Sequence, residues 1–323
     1  MTYHILIPDG LTSAGMAVLE VEPAFRVTLG SLPRAEAIAA AADADALIVR
    51  SATKVDAEFL AAAPQLKVIA RAGVGVDNVD LAAAGARGIA VMNTPGGNTN
   101  AAAEHTLALM LALARHVPVA HQSLRDGRWD RKKYMGTELR GKTLGVIGLG
   151  RIGQTVAALA CAFGMTVLAY DPKQEATVFE CCEVTPVSFD ELLARSDYIT
   201  LHAPATDETR EMINAETIAR MKDGVRIINT ARGVLVDSEA LAAAIISGKV
   251  TAAALDVYAV EPPGDDHPLV GLDRVVHTPH LGASTVEAQI AVGVQAAEQV
   301  RDALMHGEYR NVVNGDYLKT PAG

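Results

Sequence analysis

Short apolar runs recur along the chain, separated by longer Ala-rich stretches whose apolar positions return every three or four residues. The runs fit strands buried on both faces, and the longer stretches fit helices packed upon them, the alternation of a parallel α/β sheet. In the N-terminal part the predicted strands are HILI (4–7), ALIV (46–49), KVIAR (67–71) and GIAV (88–91), which a flavodoxin-like unit accommodates. A long helix is predicted from about Asn100 to His116, stopping near Pro118 and bridging to a second domain.

A second series begins with TLGVIG (143–148) and continues with TVLAY (166–170), YITL (198–201), VRIINT (225–230), TAAAL (251–255) and RVVHT (274–278). Six strands with intervening helices match a doubly wound dinucleotide-binding fold. The last helical stretch, Ser284 to about His306, has no place on that finished sheet. Returning it to the first domain makes that domain discontinuous, residues 1–98 and 284–323, with residues 99–283 inserted as the second.

Composition narrows the function classes. Half of the 323 residues are hydrophobic and the formal net charge is -10, so a nucleic-acid partner is not expected: phosphate binding needs a basic surface. Three cysteines, with Cys181 and Cys182 adjacent, do not form a paired framework and fit a reducing compartment. The N-terminus MTYHILIPDG lacks the features of a signal peptide, and the most apolar segment, LALMLALA (107–114), is too short to cross a bilayer. A soluble cytoplasmic protein with no membrane partner and no metal site is expected.

GLGRIG (148–153) follows a strand-like LGVI and opens a helical stretch. In that setting Gly148 permits the tight turn, Gly150 lets the backbone approach a pyrophosphate, and Gly153 lets helix and strand pack closely. Helix N-terminal amides would hold the anion. The next strand ends in Asp171, placed to accept from an adenosine ribose hydroxyl and to repel a 2′-phosphate, which favours NAD over NADP.

Three polar residues lie just beyond successive predicted strands of this domain: Arg232 in NTARG, Glu261 in VYAVEPP and His280 in TPHLGAS. Ligands of open parallel sheets bind outside the carboxyl ends of the strands, so all three point to one crevice. Hydride transfer from a 2-hydroxy acid has a use for each. A guanidinium fixes the substrate carboxylate, an imidazole takes the alcohol proton, and a carboxylate on the other ring nitrogen orients that imidazole.

With these motifs the chain resembles the D-isomer-specific 2-hydroxyacid dehydrogenases, most closely the members that oxidise 3-phospho-D-glycerate. RSATKV, RAGVGVDNVD, NTPGGN, ELRGKTLGVIGLGRIG, NTARG, ALDVYAVEPP and TPHLGASTVEAQ stand in that family's order and spacing over nearly the whole chain. The resemblance implies two Rossmann-like domains, one substrate-binding and one NAD-binding, with Arg232, Glu261 and His280 as catalytic residues. It places Arg151 and Ile152 at the pyrophosphate, Asp171 at the ribose and Asp256 on the nicotinamide side. Thr230, Ala231, Leu281, Gly282 and Ala283 line the pocket. A phosphorylated substrate needs a second cationic site, for which Arg50, beside Ser51, and the cluster Arg131-Lys132-Lys133 are available, and the backbone amides of Val74 and Gly75 are expected to share the carboxylate. The resemblance further implies a homodimer in which the 118–140 arm crosses over.

Two departures stand out. Position 203, in LHAP, is Ala203 where these enzymes often carry Thr, which removes one side-chain contact to the cofactor. The chain ends at Gly323, so feedback through a C-terminal regulatory domain is not expected. Glycerate or glyoxylate reduction is the alternative enzyme reading, and an NAD-sensing corepressor-like binding protein is the alternative of another class.

Overall fold

The computed structural model describes residues 2–181 and 184–318. Cys182 and the tail after residue 318, both part of the sequence reading, lie outside the described residues. The chain divides into two compact units, residues 1–98 with 285–323, and residues 99–284.

The first unit is built on β1 (Tyr3–Ile7), β2 (Phe25–Leu29), β3 (Ala46–Val49), β4 (Val68–Arg71) and β5 (Ala90–Met92). All pair in parallel, in the order β2-β1-β3-β4-β5. Alternation along β1 sends Ile5 and Ile7 to one face and Leu6 to the other. The Ile5 face is covered by the helix Val286–His306 through Val292, Ala296 and Val300, and the Leu6 face by Phe59 and Leu60. Strand β2 is absent from the sequence reading. It lies at the sheet edge with no fully buried position, so FRVTL carries no continuous apolar run.

The second unit carries β6 (Thr143–Ile147), β7 (Thr166–Tyr170), β8 (Thr185–Pro186), β9 (Tyr198–Leu201), β10 (Val225–Asn229), β11 (Val250–Leu255) and β12 (Val275–His277). Their order is β12-β11-β10-β9-β6-β7-β8, all parallel. The sheet therefore has seven strands among the described residues rather than six. The additional one, β8, is a two-residue edge strand ending in proline, too short to leave a pattern. Both faces are covered: Met110, Leu113, Val156 and Ala160 lie on one side, Leu192, Ile218, Leu241 and Ile245 on the other.

The long bridging helix keeps its expected bounds to within a residue, and a second helix that the sequence reading lacks follows it. The helix Thr99–Arg115 stops at His116, which takes a left-handed conformation (φ 54°), and a second helix, Val117–Arg125, begins at once. Pro118 sits in the first turn of that new helix, where its missing N–H has no partner to lose, so it starts a helix rather than ending one. The C-terminal helix runs from Val286 rather than Ser284, and Thr285 caps it, its side chain accepting the Ala288 N–H at 3.1 Å.

Candidate active site

The order of the second sheet reverses between β6 and β9, and the segments leaving those two strands meet at their carboxyl ends. Gly148, directly after β6, has φ +89°, and a Cβ there would stand 2.7 Å from the His202 carbonyl carbon. Only glycine satisfies both conditions. Ala203 follows His202 in the same contact, its side chain buried in the core. A Cβ at Gly153 would fall 2.1 Å from the Gly148 oxygen, so the glycine lets the helix Arg151–Ala162 pack onto the turn.

That helix has no side-chain cap at Gly150, and a Cβ at Gly150 would meet nothing within 4 Å. The open first turn, bearing Arg151 and Ile152, leaves backbone N–H groups without intrahelical partners. This arrangement suits the pyrophosphate of a dinucleotide. Asp171, after β7, anchors the turn: its carboxylate accepts the Leu149 N–H at 2.7 Å and the Lys173 N–H at 2.9 Å.

His280 and Glu261 are brought together from loops that follow β12 and β11. The His280 Nδ1 lies 2.7 Å from Glu261 Oε2, and both side chains are half-exposed. The other Glu261 oxygen accepts the Tyr258 N–H at 3.0 Å, which fixes the carboxylate relative to its own loop. His280 has φ 56°, a left-handed conformation uncommon outside glycine, and costly enough to need support from its surroundings.

Asp256 supplies much of that support. It is fully buried, its backbone oxygen accepts the His280 N–H at 2.8 Å, and its carboxylate accepts the N–H groups of Leu281 (2.7 Å) and Gly282 (2.8 Å). The Thr278 hydroxyl (2.6 Å) and His105 Nε2 (3.2 Å) complete the shell. Burial pushes this carboxyl up, but the bonds from His105, Thr278, Leu281 and Gly282 outweigh it and hold the group below the usual carboxylate range. Asp256, expected on the nicotinamide side, is thus engaged with the loop that presents His280.

Arg232 leaves the end of β10 through a turn shaped by buried Asn229. The Asn229 side chain accepts the Ala231 N–H (3.0 Å) and donates to the Arg232 carbonyl (2.8 Å). Arg232 itself donates to the Ala231 oxygen at 2.6 Å. Thr230 bonds Thr106 of the helix Thr99–Arg115 at 2.9 Å. Ala283 closes the loop begun at Thr278, whose Ser284 N–H returns to the Leu281 oxygen at 2.8 Å.

In the first unit, Arg50 and Ser51 follow β3, and Val74 and Gly75 lie just beyond β4. Asp9, beyond β1, accepts the Arg50 N–H at 2.7 Å, so Arg50 stands where this sheet also reverses its order. It lines a small cleft with Thr12, Ala72 and Gln289. The Val74 carbonyl accepts from Asn93 Nδ2 at 2.7 Å. In the second unit, the basic cluster Arg131, Lys132 and Lys133 lines an open concavity with the exposed Trp129.

Three residues that brace these loops escape the motif reading: His105, Asn229 and Thr278. His105 is a polar residue in an otherwise apolar helix, a signal that a helical-face reading could have used. Asn229 and Thr278 lie inside quoted motifs, but Asn229 acts through the backbone of the turn it shapes and Thr278 through the Asp256 carboxylate and the His105 ring, which only the fold brings near.

Residues 107–282 match the family model described as D-isomer specific 2-hydroxyacid dehydrogenase, NAD binding domain. The chain is 56% identical over 270 residues to D-3-phosphoglycerate dehydrogenase of Archaeoglobus fulgidus, covering 84% of this chain and 51% of that protein. It is 48% identical over 300 residues to hydroxypyruvate reductase of Thermotoga maritima, covering 92% of this chain and 97% of that protein. The chain thus spans about half the length of the first of these relatives and nearly all of the second. Among solved structures, D-lactate dehydrogenase of Aquifex aeolicus complexed with NAD and lactic acid superposes with a TM-score of 0.82 at 31% identity, covering 97% of this chain and 99% of that one.

Proposed function

The chain belongs to the D-isomer specific 2-hydroxyacid dehydrogenase family, and from that premise we propose that it oxidises 3-phospho-D-glycerate to 3-phosphooxypyruvate with NAD, the entry step to phosphorylated serine synthesis. The observation that carries the reading is the 2.7 Å contact between His280 Nδ1 and Glu261 Oε2, which leaves Nε2 as the ring nitrogen for the substrate hydroxyl.

Bound NAD would supply the hydride acceptor for C2 of the hydroxy acid. Every other role falls to the chain. His280 removes the hydroxyl proton at Nε2, and Glu261 orients the ring and stabilises the imidazolium that forms. Arg232 holds the C1 carboxylate with paired hydrogen bonds. The amides around Gly148, Gly150, Arg151, Ile152 and Gly153 hold the pyrophosphate, Asp171 the ribose, and Ala203, Thr230, Ala231, Leu281, Gly282 and Ala283 line the nicotinamide pocket.

The phosphoryl group falls to Arg50 and Ser51, joined by Arg131 and Lys132, while the Val74 and Gly75 amides share the carboxylate with Arg232. In this reading the discontinuous unit binds substrate and the inserted unit binds NAD. The chain is a cytoplasmic homodimer with the arm after residue 117 crossing to the partner subunit.

The second reading is hydroxypyruvate reduction, favoured by the near-complete coverage of the Thermotoga maritima reductase. A steady-state screen of NADH with 3-phosphooxypyruvate, hydroxypyruvate and glyoxylate decides between them. A kcat/KM for 3-phosphooxypyruvate well above the other two supports phosphoglycerate oxidation. Equal or better use of hydroxypyruvate moves the assignment to the reductase.

A further inference from the structure

Tyr258 touches all three candidate catalytic loops and belongs to none of the motif roles above. It is nearly buried in the core beneath β10, β11 and the loop that follows β11. Its N–H donates to Glu261 Oε1 at 3.0 Å. Its carbonyl packs against Gly233, the residue after Arg232, where an added Cβ would stand 1.9 Å from the Tyr258 carbonyl carbon. Its hydroxyl lies 2.9 Å from Nδ1 of His277, the last residue of β12 and three positions before His280.

The ring contacts hold this arrangement in one place. The Tyr258 and His277 rings stack with centroids 6.2 Å apart and planes 23° apart, and His267 meets Tyr258 edge-on at 5.5 Å. Burial, with Asp256 and Glu261 adding to it, pushes the Tyr258 phenol up. Burial pushes the His277 imidazole down, with the Leu269 backbone opposing and His267 adding to the fall. The pair therefore meets as a neutral phenol and a neutral ring.

Glu261 and His280 reach each other from two separate loops, and their own contact is half-exposed. A mispositioned carboxylate would leave the imidazole without its partner. We propose that Tyr258 is a positioning residue: its hydroxyl bond to His277 ties the loop carrying Glu261 to the strand end that launches His280, and so sets the separation of the two.

The inference rests on the dehydrogenase reading and is tested on the whole chain. Tyr258→Phe keeps the ring and removes only the hydroxyl, and His277→Leu removes its partner. Each is expected to lower kcat about tenfold on the best 2-keto acid, with KM and NADH affinity unchanged. Because both changes break the same bond, the double variant is expected to be no slower than either single one. Histidine side-chain NMR supplies a readout besides turnover: the His280 ring resonances shift in Tyr258→Phe, while its circular dichroism stays that of the parent.

Unchanged kcat with unchanged His280 resonances in Tyr258→Phe overturns the proposal, as do additive losses in the double variant. If Tyr258→Phe does not fold, His277→Leu is read by the same two measurements. If the unmodified chain reduces no 2-keto acid, the dehydrogenase reading fails there, and the His280 resonances still decide whether Tyr258 positions that ring.

Discussion

Glu261 divides its two oxygens between two tasks: Oε2 meets His280 Nδ1 at 2.7 Å, and Oε1 accepts the Tyr258 N–H at 3.0 Å. A glutamine at 261 keeps the shape and loses the charge that stabilises an imidazolium. Glu261→Gln is therefore expected to lower kcat about a hundredfold while NADH binding is retained. Stopped-flow fluorescence gives the binding and steady-state turnover gives kcat. Parental kcat in the variant would remove Glu261 from the mechanism.

Asp256 is expected to matter to folding as well as to the loop. Asp256→Ala leaves the Leu281 and Gly282 N–H groups and Thr278 without their acceptor. The cost expected is about 3–5 kcal/mol, the range for breaking a buried, charge-assisted network. Chemical denaturation measures it. A loss below 1 kcal/mol would show that the loop finds other partners.

The same carboxylate gives a pH dependence of defined sign. Its folded pKa lies below the ordinary value of 3.8, so its contribution is present above that value and is lost as pH falls through the depressed folded one. Acid unfolding of Asp256→Asn should then show a shallower slope below about pH 4 than the parent. Parallel curves in that range would contradict the assignment.

His202 acts in a higher window. Burial pushes its imidazole from 6.5 down to about 3, and its Nε2 meets the Thr200 hydroxyl at 2.9 Å. The neutral ring is the folded form, while the unfolded chain takes up a proton below 6.5. Stability should thus decline as pH falls from 6.5 towards 3, and His202→Gln should flatten that decline. Melting temperatures across this range test it, with an unchanged slope counting against His202.

Asp171 separates cofactor preference from loop geometry. Asp171→Ser removes the charge that would oppose a 2′-phosphate, so the ratio of kcat/KM for NADH over NADPH is expected to fall at least about tenfold. Because the carboxylate also accepts the Leu149 and Lys173 N–H groups, part of the NADH loss should appear in KM. An unaltered ratio would place the ribose contact elsewhere.

What could be read in advance depended on how local the physical cause is. Gly148 and Gly153 are legible because a tight turn and a helix contact both act within one short segment. Arg232, Glu261 and His280 are legible as residues just past strand ends, since parallel sheets put ligands there. Strand β8 is not, because two edge residues carry no period, and neither is the helix Val117–Arg125, because a proline that marks the end of one helix also fits the first turn of another. The ties from Asp256 to His105 and from Tyr258 to His277 join separate elements, and nothing in either local sequence announces the other.

The return of the C-terminal helix to the first sheet has a consequence for synthesis. Ile5, Ile7, Ile48 and Ala70 form one apolar face with Val292, Ala296 and Val300 of the helix Val286–His306. Asn314 reaches β5 as well, accepting the Val91 N–H and donating to the Ile89 oxygen, each at 2.9 Å. On the ribosome that face is made early and its cover late, with the whole of residues 99–284 emerging between them. At about 5–20 residues per second the nascent chain carries an uncovered half-core for tens of seconds. The inserted unit, being continuous, is free to fold during that interval, so the first part of the chain to be translated is the last to be completed.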